Sequence, residues 1–407
     1  MKKLNNILFS LISSVVAEPR AGCAGRDVSA EALDEKTLEA VFALAKRHDL
    51  AHLLARGIRG AKSEAENLEC TDPSCDTRGV SDSIGQISKE FSSELERAEL
   101  TAVWRVRNTL NEQERVRKLL ENAKIPFILL KGAVVRDYYA EAWMRTSSDI
   151  DILVHSDAIP EVVKCLGESG GYRVDQALAD TAAFYATSGV RIEVLTDFEG
   201  DGEDGQMLNT AWRRADTCGG YEHFLSAEDY YFYHVAHMAK HMKQGGCGIR
   251  PFIDLYLINS HSDPDRDQLA AMLGAHGLDS FENAAVKLSE AWMSGGDAPG
   301  LEAFESYVLT GGVYGSVDQY VAAGIGNRRS KLGYLFYRLF MPYHELKKRH
   351  GALDGRPWLT PVFWVWRWCG LIVPWRFKRS RRELASTVKL DESQGAGIAE
   401  LFESLGL

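Results

Sequence analysis

The sequence predicts an α+β fold in which a small mixed sheet is flanked by helical regions on both sides along the chain. Apolar residues recur at steps of three and four over most of the 407 residues, a spacing typical of amphipathic helices. In the middle of the chain this spacing gives way to short apolar runs and to alternating acidic and apolar residues, which indicate strands. We therefore expect an N-terminal helical region over 1–122, an α/β core over 123–225 and a C-terminal helical domain over 226–407.

Composition and charge restrict the class of protein. Hydrophobic residues make up 45% and charged residues 26%, values that argue against a disordered or multi-pass membrane chain. The net charge of -10 opposes a coat of nucleic acid over the surface, although it is compatible with one local basic site. Seven scattered cysteines favour a reducing, cytoplasmic location. We interpret Cys70 and Cys75 as two loop thiols, because no second pair follows at the spacing of zinc ligands.

The N-terminal region is predicted to consist of helices. Lys2, Lys3 and the apolar stretch behind them imitate a signal peptide, but polar residues interrupt that stretch and its apolar residues recur at helical spacing. We interpret it as a helix that belongs to the core. Further helices are expected over 29–59 and 88–122, and a loop rich in small and polar residues over 61–85.

The core and the C-terminal half differ in their predicted elements. In the core we expect strands over 125–130, 149–154 and 191–195, and helices over 134–139 and 159–166. After Ser226 strand patterns give way to helical ones, which are expected over 229–242, 252–258, 268–273 and 281–292.

Two carboxylates mark the predicted chemical centre. Asp149 and Asp151 are two residues apart in one strand, so they point to the same face about 7 Å apart. A hard cation such as Mg²⁺ prefers carboxylate oxygens, and Glu193 on a second strand can supply a third one. The alternative is an edge strand with solvated acids. We favour the metal site because Asp is disfavoured inside strands and here occurs twice in an apolar run.

Residues upstream of the acids are suited to bind phosphate. Lys131 and Gly132 end the first strand and bring a cation and a flexible turn to a place where triphosphate oxygens can approach. Arg145 lies four residues before Asp149, and Ser148 supplies a hydroxyl directly before it. We therefore assign these four upstream residues to nucleotide binding.

At this point the sequence resembles a family, the poorly characterised bacterial nucleotidyltransferases within the DNA-polymerase-β-like superfamily. The resemblance covers about three quarters of the chain. It rests on Leu130-Lys131-Gly132-Ala133, Tyr138-Tyr139, Arg145-x-x-Ser148-Asp149-Ile150-Asp151-Ile152-Leu153-Val154, Gly171-Tyr172, Ile192-Glu193, His234-x-x-His237-x-x-Lys240-His241, Arg250-x-x-x-Asp254-Leu255, Met341-Pro342 and Leu359-Thr360-Pro361. The Gly-Ser pair that is usual in the phosphate turn of the superfamily is replaced here by Lys131-Gly132.

The resemblance implies a nucleotidyltransferase catalytic core over 123–225 and an activity. A nucleoside monophosphate would pass from a nucleoside triphosphate, such as ATP, to an acceptor hydroxyl, and pyrophosphate would leave. Asp149 and Asp151 would hold Mg²⁺ or Mn²⁺, and Glu193 would complete the site and help to deprotonate the acceptor. The acceptor stays open between a small molecule and a macromolecule.

A histidine-rich helix follows the core. His237 and His241 have the spacing of a helical zinc pair, which is one interpretation. The resemblance instead implies that His237, Lys240 and His241 face the catalytic cleft and meet phosphate or acceptor. His234 is expected to be a buried structural histidine, and Asp254 either orients Lys240 or His241 or starts a helix.

Two further segments, an acidic loop and a tryptophan-rich stretch, have patterns found in ligand-binding segments. The acidic loop 197–203 resembles the start of a calcium loop, but Leu208 stands where the last ligand is required, so we interpret it as a solvated loop. Near the C-terminus, tryptophans crowd 358–375 and a basic run follows. We favour a helix that docks internally over one that lies weakly on a membrane surface.

Two other classes of function stay open beside the enzyme. One is a catalytically inactive module with the same fold, which senses nucleotide or binds a partner. The other is a toxin-like modifier of a cellular target. Loss of an acid would favour the first alternative, and all three acids are present.

Overall fold

The computed structural model describes residues 2–16, 34–67, 87–177, 181–196, 210–217, 219–328, 330–372 and 378–407. It contains two compact units. The first comprises Met1–His237 and Ile249–Glu302, and the second comprises Met238–Gly248 and Ala303–Leu407. The fold class is the predicted one, α+β with a mixed sheet and helical flanks. The division into three domains stays a prediction.

Helices precede the sheet in the first unit. They are α1 (Lys2–Val16), α2 (Glu35–Arg47), α3 (Ala51–Asn67) and α4 (Lys89–Asn122). Apolar residues of α1, including Leu8 and Ile12, are fully buried, which agrees with a core helix. Asp34 caps α2 by accepting a hydrogen bond from the Thr37 amide at 3.0 Å.

The N-terminal helices differ from the prediction at two places. The expected helix over 29–59 is divided at Asp49, whose φ of 57° ends one helix before the next begins. The loop prediction is wrong over 61–67, where α3 continues. Alanine, lysine and glutamate dominate this stretch, and their helix propensity outweighs its lack of large apolar residues. Residues 68–86 lie outside the described part of the chain, as do Cys70 and Cys75.

In the described part of the chain, seven strands form one mixed sheet. They are β1 (Phe127–Leu129), β2 (Asp149–Val154), β3 (Tyr172–Ala177), β4 (Thr181–Ala186), β5 (Arg191–Leu195), β6 (Asp216–Thr217) and β7 (Glu222–Phe224), in the order β3-β4-β5-β2-β1-β7-β6. β2 pairs with β5 in parallel and with β1 antiparallel, so the two strands that carry the acids are neighbours at the centre of the sheet. The predicted strand 149–154 is confirmed residue for residue.

Helices connect the strands. They are α5 (Gly132–Val135) and α6 (Ile159–Glu168), with short 3₁₀ turns at Arg136–Tyr138, Ala142–Met144 and Ser156–Ala158. The helix expected over 134–139 therefore begins earlier and tightens into a 3₁₀ turn. The acidic loop 197–203 lies outside the described residues.

The two faces of the sheet have different roles. Ile150, Ile152 and their neighbours on β5 pack with α4 and α6 in the larger core cluster. Leu153 and Leu195 point to the opposite face, into a smaller cluster that includes Tyr233. Because side chains alternate along a strand, the odd-numbered residues at the start of β2 and β5 share this second face, which the core covers only in part.

The first unit continues with helices after the sheet, and the second unit is mainly helical in its described part. They are α7 (Ala227–Lys243), whose last turns belong to the second unit, α8 (Arg250–His261), α9 (Arg266–Ala275), α10 (Asp279–Ser294), α11 (Glu302–Thr310), α12 (Val317–Gly326), α13 (Lys331–Leu339), α14 (Tyr343–Arg349), α15 (Thr360–Ile372), α16 (Lys378–Lys389) and α17 (Glu392–Ser404). Among the described residues, every helix is too short or too polar to cross a bilayer.

Candidate functional site

Three carboxylates converge at the centre of the sheet. Oxygen atoms of Asp149, Asp151 and Glu193 lie within 4.8 Å of one another. Within the described ranges, this is the one group of three or more His, Cys, Asp or Glu side chains placed to hold a metal ion. Asp151 is 3% exposed, and its two partners are partly buried.

Strand register explains why the acids meet. Asp149 lies opposite Arg191, and Asp151 lies opposite Glu193, in the parallel pair of β2 and β5. All four side chains therefore lie on the same face of two adjacent strands. Ile150 and Ile192, one residue further along each strand, anchor the opposite face in the larger core cluster. The buried isoleucines thus hold the acids on the accessible face.

Lys131 directs its ammonium group into the acid cluster. Its Nζ donates a hydrogen bond to Asp151 Oδ1 at 2.5 Å, and its side chain is 24% exposed. The Leu130 amide donates to the Asp151 carbonyl oxygen at 3.0 Å, so backbone pairing holds the turn beside the acids.

The backbone of Lys131 is strained. Its φ of 50° and ψ of -123° form a combination that only glycine adopts easily. The sequence predicted a flexible turn at Lys131-Gly132, with glycine as the adaptable residue, but the unusual conformation falls on the lysine instead. Three donors hold the Lys131 carbonyl oxygen in place: the amides of Val134 and Val135, and the Tyr230 hydroxyl at 3.0 Å.

Charge within the cluster shifts the pKa of two groups. Burial raises the pKa of the Asp151 carboxyl, the Lys131 ammonium opposes this, and the Asp149 carboxylate adds to it. Burial alone would lower the pKa of Lys131, but Tyr233 and the nearby acids outweigh it and raise that pKa above its usual range. Lys131 is therefore a permanent cation.

Arg191 is a second cation at the acid cluster. Its guanidinium pairs with Glu193 two residues further along β5. Arg191 is 37% exposed, and no described residue accepts a hydrogen bond from its buried Nε. Arg191 is therefore a second donor within the cluster.

Arg145 lies in a separate, closed network. Its guanidinium donates to both carboxylate oxygens of Asp254, from Nε at 2.8 and 3.0 Å, and to the Thr146 carbonyl oxygen at 2.6 Å. The Tyr139 hydroxyl donates to Asp254 at 2.7 Å. Burial would raise the pKa of Asp254, but Arg145 lowers it below its ordinary value. The predicted contact of Arg145 with triphosphate stays a prediction.

The other residues predicted to bind nucleotide occupy varied positions. Gly132 is buried at the start of α5, where an added Cβ would meet Arg145 and Ser147 at ordinary contact distance. Ser148 is exposed directly before β2. His237, Lys240 and His241 follow one another on α7, but only the first belongs to the unit that contains the acids. Whether this helix face meets the acid cluster stays a prediction. His234 is partly buried and hydrogen-bonded to the Pro251 carbonyl oxygen at 2.9 Å, as expected of a structural histidine.

The residues present fit a divalent metal ion. Asp149, Asp151 and Glu193 offer only hard oxygen ligands, which Mg²⁺ and Mn²⁺ prefer. Asp151 is buried and already accepts a hydrogen bond from a cation, so positive charge is accommodated at this place. His237 and His241 have no part in a group of three metal-ligating side chains among the described residues, which leaves the zinc interpretation without support.

The mixed sheet carries a group of convergent carboxylates that could hold a metal ion, with cations beside them. The chain belongs to the family of uncharacterised nucleotidyltransferases, whose family model matches residues 34–294. Search of the curated proteins finds no match to this chain.

Sequence reasoning missed one residue of this region, Arg191, and the partners of another, Asp254. Arg191 lies two positions before Glu193, so strand alternation alone would have placed it beside the acids. Asp254 was expected to orient Lys240 or His241 or to start a helix, whereas it binds Arg145 and Tyr139 within the first unit. Its partner lies 109 residues away in the chain, and no local pattern reveals such a pairing.

Proposed function

We propose that this protein catalyses metal-dependent transfer of a nucleoside monophosphate from a nucleoside triphosphate to an acceptor hydroxyl. The observation that carries the proposal is the convergence of Asp149, Asp151 and Glu193 at the centre of the sheet, in a chain of a nucleotidyltransferase family. The reaction forms a bond between the acceptor oxygen and the α-phosphorus. It breaks the bond from that phosphorus to the β-phosphate bridging oxygen, and pyrophosphate leaves.

The three carboxylates would hold Mg²⁺ or Mn²⁺. A bound ion of this kind neutralises charge on the phosphates and favours in-line displacement at phosphorus. Such a site requires accessible acids whose charge is not fully compensated by the protein. Here three carboxylates face two cations, Lys131 and Arg191, so a ligand can supply the missing positive charge.

The cations beside the acids would bind the triphosphate. Lys131 and Arg191 carry donors that suit phosphate oxygens, and the Arg191 Nε has no acceptor among the described residues. Glu193 would accept the proton of the acceptor hydroxyl. Little covalent chemistry is required of the chain, because orientation and charge compensation supply most of the catalysis in phosphoryl transfer.

The decisive experiment is a transfer assay with labelled nucleotides. ATP, CTP, GTP and UTP labelled at the α-phosphate are incubated with the protein, Mg²⁺ and cell extract, and the component that gains label is identified. Transfer of label from the α-phosphate and not from the γ-phosphate is expected. It identifies donor and acceptor class together, and chelation of the metal must stop it.

Controls separate this enzyme from the alternative functions. The Asp149→Asn variant, purified and folded, must lose the transfer. If the wild-type protein binds nucleotide and yet labels nothing with any donor, the inactive sensing module is the better explanation. Label from the γ-phosphate would indicate a kinase and contradict the proposal.

A further inference from the structure

The acid cluster contains its own cation. The Lys131 ammonium lies 2.5 Å from Asp151 Oδ1, within a cluster whose carboxylate oxygens all lie within 4.8 Å of one another. Asp151 is 3% exposed, so this contact is shielded from solvent and is stronger than a surface ion pair.

The chain holds this cation in place by its backbone. The strained φ of 50° at Lys131 persists because the carbonyl oxygen of that residue accepts hydrogen bonds from Val134, Val135 and Tyr230. A glycine would adopt this conformation without strain. The use of lysine at a position that favours glycine indicates that the ammonium group has a role which compensates for the strain.

We propose that Lys131 is a tethered counter-ion, which occupies the acid cluster in the metal-free protein and is displaced from it when a divalent ion and a triphosphate bind together. A divalent ion held by Asp149, Asp151 and Glu193 repels the ammonium group, since like charges at close range disfavour each other. A triphosphate offers that ammonium a new set of acceptor oxygens. Metal and nucleotide therefore strengthen each other's binding through this side chain, and by linkage the effect is reciprocal.

This inference rests on the proposed function only for the identity of the two ligands. Its test measures binding and requires no turnover. Titration calorimetry of the full chain with Mn²⁺, at one mildly alkaline pH throughout, is carried out with and without an α,β-methylene triphosphate analogue. Lys131→Gln removes the charge and keeps a donor, whereas Lys131→Arg keeps the charge. Lys118→Gln is the matched control, because it removes an exposed lysine of α4 that pairs with Glu114.

The expected result has two parts. Without nucleotide, Lys131→Gln binds Mn²⁺ about tenfold more tightly than the wild type or Lys118→Gln, since one like charge is gone. The analogue tightens Mn²⁺ binding in the wild type and in Lys131→Arg, but much less in Lys131→Gln. Unchanged or weaker Mn²⁺ binding in Lys131→Gln would overturn the counter-ion role. If Asp149→Asn bound Mn²⁺ as the wild type does, the metal site itself, and with it the proposed function, would be wrong.

A second, independent observation concerns the second unit. One face of α15 docks within that unit: the indole nitrogens of Trp364 and Trp368 donate to the carbonyl oxygens of Met341 and Leu339 at 2.8 and 3.1 Å. This agrees with the docking helix expected from the sequence. The opposite face is apolar and open to solvent.

The open face is large. Its exposed members on α15 and in the turn before it are Trp358 at 69%, Val362 at 60%, Val365 at 52% and Trp366 at 55%. Singly exposed apolar residues are ordinary, but such a group marks an interaction site.

Charge in the sequence indicates the partner. Between Gly355 and Arg382 the chain has seven basic residues and no acidic one, in a protein of net charge -10. We propose that this surface, named the Trp/Val face, binds the anionic headgroup layer of a lipid bilayer. Tryptophan bodies suit the headgroup region and valine side chains suit the acyl boundary. The positive charge of this stretch of sequence favours anionic lipid, although residues 373–377 lie outside the described part of the chain. Nucleic acid would use the aromatic rings and the charge, but would gain nothing from Val362 and Val365.

Vesicle sedimentation of the full chain tests this. Vesicles of phosphatidylcholine with a minority of phosphatidylglycerol are compared with pure phosphatidylcholine. We expect binding to the anionic vesicles, weakened about tenfold by Val365→Asp, and unaffected by Leu100→Asp, a matched change at an exposed position of α4. Absence of binding would overturn the proposal. So would a dimer in light scattering that Val365→Asp dissociates, or preferential binding to an oligonucleotide.

Discussion

Two charged clusters lie close together in the first unit and differ in how far their charges are compensated and exposed. The acid cluster has three carboxylates and two cations, is partly open, and includes a donor without a described acceptor. The Arg145–Asp254 network pairs one cation with one carboxylate, both largely buried, and Tyr139 completes it. Arg145 lies only four positions before Asp149 in the sequence. Proximity in sequence therefore does not decide the role of a charge, whereas its compensation and exposure do.

The comparison predicts that the two clusters respond differently to the loss of a charge. An acid removed from the open cluster takes away a carboxylate that would hold the metal, so activity falls. The same change lowers repulsion among like charges, so the fold stays intact. An acid removed from the closed network leaves a buried cation without a partner, so the fold loses stability.

The largest effect is expected for the open cluster. Asp149→Asn and Asp151→Asn should each lower nucleotidyl transfer by about 10²-fold or more, because each carboxylate is required to hold the metal. The thermal unfolding midpoint of Asp149→Asn should stay at or above the wild-type value, whereas that of Asp151→Asn should fall, because this variant also loses the shielded contact with Lys131. Asp157→Asn, at an exposed 3₁₀ turn, is the matched control and should change neither. Near-normal turnover of Asp151→Asn with Mg²⁺ would refute the metal assignment.

The closed network should respond in stability. Asp254→Asn leaves the Arg145 guanidinium buried without its carboxylate, which costs about 3 to 5 kcal/mol of unfolding free energy. Urea unfolding measures this loss. Both charges are replaced together in the double variant Arg145→Met, Asp254→Leu. Its loss of unfolding free energy should be clearly smaller than the sum of the losses measured for Asp254→Asn and Arg145→Met alone. Additive losses would show that the pair contributes little as a pair.

A buried histidine beside the closed network predicts pH dependence. His52 lies against Met144, whose carbonyl oxygen accepts a hydrogen bond from His52 Nε2 at 2.9 Å, and burial lowers the pKa of this imidazole from 6.5 to about 4. The unfolded chain binds a proton that the folded protein excludes. Stability is therefore full above pH 6.5 and falls as the pH decreases towards 4, by about 3 kcal/mol in total.

The variant His52→Gln sharpens this prediction. Glutamine can still donate to the Met144 carbonyl oxygen but does not titrate, so urea midpoints should depend less on pH in this window. Part of the dependence should persist, because burial also lowers the pKa of His234. An unchanged pH profile in His52→Gln would contradict the role given to His52.

The smallest effect separates backbone strain from charge at Lys131. Lys131→Gly relieves the positive φ and Lys131→Ala retains it, so the glycine variant should be the more stable by about 1 kcal/mol. Both variants lack the ammonium and should raise the apparent donor KM alike, more than they change the unfolding midpoint. Equal stability of the two variants would show that the backbone of Lys131 is not strained. An unchanged KM would show that Lys131 does not bind the donor and is an ordinary turn residue.

The sequence predicted the elements whose pattern is local. The acidic and apolar alternation over 149–154 identified β2 and the face of its acids, and Ile192-Glu193 identified β5 in the same way. The sequence did not predict the hairpin of β3 and β4, because five of the six β3 residues are exposed and show no alternation of apolar and polar residues. The short strands β6 and β7 were not predicted either, because two or three residues are too few to show a repeating pattern.

Long-range pairings and backbone strain were beyond a single sequence. The Arg145–Asp254 pair joins residues 109 positions apart, and nothing near either residue specifies the other. The positive φ of Lys131 contradicts the ordinary preference of lysine, so the sequence favoured Gly132 for that role. In both cases tertiary contacts outweigh local propensity.

The register of β2 and β5 has a consequence for folding kinetics. Asp151 and Glu193 lie 42 positions apart in the sequence and meet only when their two strands pair in one alignment. A slip of one residue would turn Glu193 to the opposite face. Such non-local parallel pairing is slow and comes after local helix formation. A complete set of three carboxylates therefore exists only late in folding. Mn²⁺ present during refolding should consequently slow unfolding more than it accelerates folding.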